Sequence, residues 1–221
     1  MPTELLVQQN QLVYTANFAR PPWHLWGQGG TILDGLFSAF SPFGVTLADI
    51  RSESVSQNPI GQVVVVNIGA NGFHKFRFDR LESTFFNFTN ELFTQLPVVL
   101  EASTRWIRKA LPSCEFASHQ CAYSSHSYLK GMNADELLTF ASTVMKSGGK
   151  GRGTGVIFHW ELPEQKWTTQ LVIDRSIVLS EGVYILFSVL VKEDRINYPN
   201  LVQEARAYLD AVLGEIGLRF P

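Results

Sequence analysis

The chain has 221 residues, 45% hydrophobic and only 17% charged, with a net charge of -2 and a pI near 6.2. That balance excludes a disordered chain, supplies apolar side chains for a sizeable core, and gives no overall field that would draw the molecule onto nucleic acid or an anionic membrane. No apolar run reaches the ~18 residues needed to span a bilayer, and the opening MPTELLVQQNQ has no basic or apolar leader region, so the expected address is cytoplasmic, away from membranes.

In chain order, Glu4 to Phe18 is rich in Leu, Val, Tyr and Phe and reads as a strand, ended by the Pro- and Gly-rich stretch Arg20 to Gly30. A short amphipathic helix follows, with Thr31 as its expected cap and Ile32, Leu33, Leu36, Phe37 and Phe40 on its apolar stripe, stopped by Pro42 and Gly44. Val45 to Val55, Gln62 to Ile68 and Phe73 to Phe88 read as three or four strands. Asn71-Gly72 marks a hairpin, and Val63 to Val66, apolar throughout, reads as a central strand covered on both faces. Glu91 to Ala110 reads as a long helix interrupted or restarted at Pro97.

The same order then recurs. A strand spans Cys114 to Tyr128, and a helix capped by Asn133 with Glu136 spans Ala134 to Met145. Strands follow at Gly155 to Leu162, Trp167 to Ile173 and Val183 to Val191. The last helix has Leu201, Val202, Ala205, Tyr208, Leu209, Val212, Leu213 and Ile216 on one face. The expected fold is therefore α+β: two tandem βαβββα halves, residues 1–111 and 112–221, give or take one strand. Their antiparallel sheets carry helices on one face, and the two could join into one continuous sheet. Internal duplication is suggested by order alone, since residue identity between the halves is not evident.

The chain carries the ligand types of a zinc site in Cys114, His119, Cys121 and His126. In an unbroken strand, however, His119 and Cys121 share one face while Cys114 and His126 take the other, so a structural strand is favoured over a metal site. The same period puts Cys114 and Cys121 about 23 Å apart at ~3.3 Å per residue, too far to pair, and unpaired thiols fit a reducing compartment. His119 with Cys121 could also form a nucleophile pair, but no oxyanion glycine or elbow supports it.

Lys146-Ser-Gly-Gly-Lys150-Gly-Arg152 has the composition of an anion-binding loop, yet it runs from helix into strand, the reverse of phosphate-binding loops, and reads first as a connector. Trp23, His24 and Trp26 stand in the first loop and are the other binding candidates, either exposed or folded over the sheet end. No catalytic residues and no cofactor are assigned.

The leading expectation is a non-enzymatic protein-interaction or assembly module, with a protein partner or self-association. A small-ligand protein or enzyme with a pocket between sheet and long helix is the first alternative. Nucleic-acid binding through Lys75, Arg77, Lys150 and Arg152 is the second, and is less favoured.

Overall fold

The computed structural model describes residues 3–54, 62–87, 89–144 and 155–220. Five helices and ten strands are found among them, in a sheet with helices on one side. The strands are β1 (Thr3–Phe18), β2 (Ile50–Ser54), β3 (Gln62–Ile68), β4 (Gly72–Phe76), β5 (Arg80–Phe86), β6 (Phe116–Leu129), β7 (Val156–Leu162), β8 (Trp167–Arg175), β9 (Val183–Val191) and β10 (Leu218–Arg219). The helices are α1 (Trp23–Trp26), α2 (Gly29–Phe40), α3 (Asn90–Ala110), α4 (Ala134–Val144) and α5 (Tyr198–Glu215).

Hydrogen bonding orders the strands β2-β3-β4-β5-β1-β6-β9-β8-β7, with β10 parallel to the start of β1 and the remainder antiparallel. The end strands of that order are β2 and β7. The expected α+β architecture is thus present, and of the three or four strands expected between the first helices and α3 there are four.

Two compact units divide the chain differently from its order of elements. One comprises Met1–Gln11, Ala122–Val189 and Gln203–Pro221; the other comprises Leu12–Cys121 and Leu190–Val202.

In the second of these units, alternate residues Leu12, Tyr14, Ala16 and Phe18 of β1 are buried, and in β3 the four consecutive residues Val63 to Val66 are buried. Helix α2 approaches α3 closely at Gly35, where a Cβ would meet the Trp106 ring at 2.7 Å. Any larger residue there would push the two helices apart.

Helix α2 begins two residues before the expected cap: Gln28 is its N-cap, and Thr31 lies inside the first turn with its hydroxyl toward the Gln28 side chain. The two glycines ahead of Thr31, poor helix formers, are recruited because the turn α1 delivers the chain already coiled. Thr46 and Asp49 form a capping box on a short 3-10 turn, Leu47–Asp49, so the strand expected from Val45 starts only at Ile50. Phe73 to Phe88 is split into β4 and β5 by a turn closed by Arg77 N–H to the Arg80 carbonyl. Pro97 lies within an uninterrupted α3.

In the other unit, α4 carries the expected cap: Glu136 N–H donates to Asn133 Oδ1, and Asn133 N–H to Glu136 Oε2. The stripe of α5 expected from its spacing is buried or half-buried at every position. Two residues past α5 lies Gly217, whose φ of +74° suits a residue without Cβ, and whose carbonyl accepts from Thr3 N–H. That turn sets β10 against β1.

Candidate functional site

The first-loop aromatics divide. Trp26 stacks on Phe76 with ring centroids 4.7 Å apart and planes within 8°, and its indole N–H is buried with no partner among the described residues. Trp23 remains 58% exposed, edge-on to Phe78, and His24 is exposed beside it. Pro22 precedes the single turn of α1, which carries Trp23 at its start and Trp26 at its end. Lys146, Lys150 and Arg152 lie outside the described residues.

The cysteine and histidine constellation is dispersed. Strand β6 begins at Phe116, so Cys114 lies ahead of it rather than on its face; the Asp194 carboxylate takes the Phe116 N–H and fixes where the strand starts. His119 and Cys121 share the buried face, as the period of two requires, while His126 is on the other, half-buried face with Nδ1 2.9 Å from Ser176 Oγ. No cluster of three or more metal-ligating side chains occurs among the described residues. Burial pushes the Cys114 thiol up to about 11 and the Cys121 thiol up to about 12, so neither is a thiolate at neutral pH.

His119 is the centre of a buried polar network within one unit. Its Nε2 is 3.1 Å from the Asp194 carbonyl oxygen, which can only accept, so the neutral ring carries its proton on Nε2. Nδ1 therefore accepts, and the Tyr14 hydroxyl donates to it across 2.6 Å. The Tyr198 hydroxyl lies 3.3 Å from that of Tyr14 and 2.6 Å from Thr104 Oγ1. Arg108 donates to both carboxylate oxygens of Asp194 at 3.0 and 3.2 Å and to its carbonyl at 2.5 Å.

Electrostatics follow from this packing. Burial lowers the His119 pKa despite its hydrogen bond to Asp194, and burial raises Tyr14 well above the usual phenol value, with Tyr198 adding to the rise. Burial also works to raise the Asp194 carboxyl, but the Phe116 N–H and Arg108 together hold it below the carboxylate norm. Both His119 nitrogens are used and the ring is inaccessible to solvent. The arrangement can hold strand and helix residues in register; it offers a substrate no open atom.

His74 differs. Its Nδ1 meets Ser83 Oγ at 3.0 Å across the β4–β5 pair, while Nε2 is buried with no partner among the described residues. Burial drives its pKa down to about 3. The ring is held neutral and leans on Phe40 at 4.9 Å.

Three surface features stand apart from the residues singled out by sequence. Strand β7 pairs with β8 from Val156↔Ile173 to Leu162↔Trp167, and among the described residues nothing pairs with its other edge. Ile157 is 52% exposed on it, and Phe158 and Trp160, stacked at 5.6 Å, are half-buried. The alternation of this segment is legible from sequence, but its place at the end of the strand order is not.

Second, the turn between β8 and β9 presents Ile177, 97% exposed, and Val178 on a tightly bonded frame. Ser176 Oγ accepts from the N–H groups of Val178 and Leu179, Ser176 N–H donates to the Gly182 carbonyl, and the Ser176 hydroxyl is left to donate to His126. Third, a groove of about 330 Å³ lies between the β3–β4 hairpin and α3, lined by Phe43, Ile68, Gly72, Phe85, Gln95 and Val99 among others. No helix among the described residues is long and apolar enough to cross a membrane.

These features define a class no narrower than an α+β sheet protein with helices on one face. No protein-family model matches the chain, and a comparison with curated proteins finds no match.

Proposed function

We propose that the chain is a non-enzymatic protein-interaction or assembly module that accepts an extended partner strand along β7. One observation carries the reading: an end strand of seven residues, VIFHWEL, presents exposed Ile157 and half-buried aromatics beside an edge with no strand on it among the described residues. Edge strands in proteins are normally blunted by Lys, Pro or a bulge, and β7 contains neither Lys nor Pro. The opposite end strand, β2, is five residues long and carries the exposed Arg51–Glu53 ion pair, a conventional blunted edge. Strand addition supplies main-chain hydrogen bonds for affinity and alternate side chains for specificity.

The conspicuous imidazoles and thiols support the same reading, since His119, His74, Cys114 and Cys121 are buried and held in unreactive protonation states. Two buried free cysteines suit a reducing compartment, for which the cytoplasm is our proposal. The test is co-purification from the native host with the tagged chain and with Ile157→Lys. Loss of the co-purifying protein from a variant with unchanged circular dichroism is expected; its retention would overturn the proposal.

A second reading rests on the groove beside α3, whose size falls at the low end of the ~300–1,000 Å³ of ligand sites and whose walls suit a small apolar molecule. Native mass spectrometry of the chain from its host tests it: a co-purified mass removed by Val99→Trp is the expected result.

A further inference from the structure

We infer that the strand added along β7 is β7 of a second copy, paired antiparallel about a two-fold axis at His159. This rests on the reading of β7 as an interaction edge and names its occupant. An antiparallel pair of identical strands related by a two-fold axis must centre on a residue, because any other offset sets opposite faces side by side. Centring on His159 is the choice that uses all seven residues of the strand: Val156 meets Leu162, Ile157 meets Glu161, and Phe158 meets Trp160, each twice. Centres at Phe158 or Trp160 shorten the ladder, and the latter sets Pro163, which has no N–H, opposite Ile157.

The chosen register is complementary on both faces. Val156, Phe158, Trp160 and Leu162 share one face, the one on which Trp160 meets Tyr208 of α5 edge-on at 6.3 Å. The half-buried Phe158 and Trp160 then gain cross-strand aromatic partners, a favourable pairing in sheets. On the other face Glu161 lies opposite Ile157 rather than opposite its own mate, so no two carboxyl groups face each other. Two-fold pairing also closes the assembly: it consumes β7 from both copies and leaves the charged, short β2 at the ends.

The test is a single-cysteine cross-link. At the two-fold position the Cα atoms of His159 and its mate would be about 4.5–5.5 Å apart, within the span a disulfide bridges. His159→Cys should therefore give a covalent dimer on mild oxidation. The wild-type chain should give none, because its own thiols are buried. Ile157→Cys, which faces Glu161 in this register, should not cross-link under the same conditions, since its mate stands four positions along the partner strand, roughly 13 Å away at ~3.3 Å per residue and beyond the span of a disulfide. His159→Lys, which places two like charges at the axis, should weaken self-association by about tenfold or more in sedimentation equilibrium with circular dichroism unchanged.

A folded His159→Cys variant that stays monomeric on oxidation, or an Ile157→Cys variant that cross-links equally well, would overturn the inference. If His159→Cys stays monomeric while Ile157→Lys still strips a different protein in co-purification, the edge accepts another chain and only the self-pairing falls. If the wild-type chain is monomeric and Ile157→Lys strips nothing, the edge reading falls with it.

Discussion

His119 and Ile157 sit in unlike places. His119 is wholly buried on β6, with a donor on one ring nitrogen and an acceptor on the other already satisfied by Tyr14 and the Asp194 carbonyl. Ile157 is half exposed on β7, an aliphatic side chain without chemistry beside an open sheet edge. The residue type that suggests a reaction is spent on stability, and the residue type that suggests a core is displayed. Polar side chains around His119 help hold the interior together, and on the proposed reading exposed Ile157 marks the edge a partner would take.

The largest test of that contrast is His119→Ala. It leaves the Tyr14 hydroxyl without its acceptor in the interior and opens a cavity, which should cost about 3–5 kcal/mol in urea unfolding. A cost below about 1 kcal/mol would mean the network is not structural. Tyr14→Phe comes next: it keeps the ring but leaves His119 Nδ1 unpaired, for an expected loss of about 1–3 kcal/mol. In neither variant, where folded, should self-association change.

Acidification probes the interior without mutation. The folded-state pKa of His74, about 3, lies below its ordinary 6.5, so the unfolded chain takes up a proton that the folded one refuses. Stability from this residue is complete above about pH 6.5 and falls as pH drops toward 3, by roughly 1 kcal/mol per pH unit. His119, also lowered by burial, acts in the same sense. Urea midpoints measured from pH 7.5 to 5 should decline, and His74→Leu with Ser83→Ala should flatten the decline. An unchanged slope in that double variant would show that His74 is not held neutral.

Much of the fold was legible because period and punctuation are local. The α4 capping box, the Asn71-Gly72 hairpin, the span of β9 and the buried stripe of α5 all depend on residues within a few positions of one another. The errors arise where a distant group decides. Strand β6 starts at Phe116 rather than Cys114 because Asp194, far along the chain, takes the Phe116 N–H. Gly29 and Gly30 are helical because α1 precedes them.

The candidate site was less legible for the same reason. His119 was visible as a histidine, but its partners Tyr14, Thr104, Asp194 and Tyr198 come from four separate segments. The alternation of VIFHWEL was visible too, yet strand order, which makes it an edge, depends on every long-range pairing in the sheet.

The smallest expected effect on stability is also the one that separates the two regions most cleanly. Ile157→Lys replaces an exposed side chain on a strand with no described outer neighbour, so the urea midpoint should move by less than about 0.5 kcal/mol. The same substitution puts a charge where an incoming strand must lie flat, one of the devices by which natural edge strands refuse pairing. Hydrogen exchange distinguishes the outcomes. In the wild-type chain at high concentration, the outward β7 amides should be protected to an extent that rises with concentration; in Ile157→Lys they should exchange freely at every concentration. Protection that is independent of concentration in both chains would mean the edge is already covered within the molecule, and the contrast between a satisfied interior and an open edge would fail.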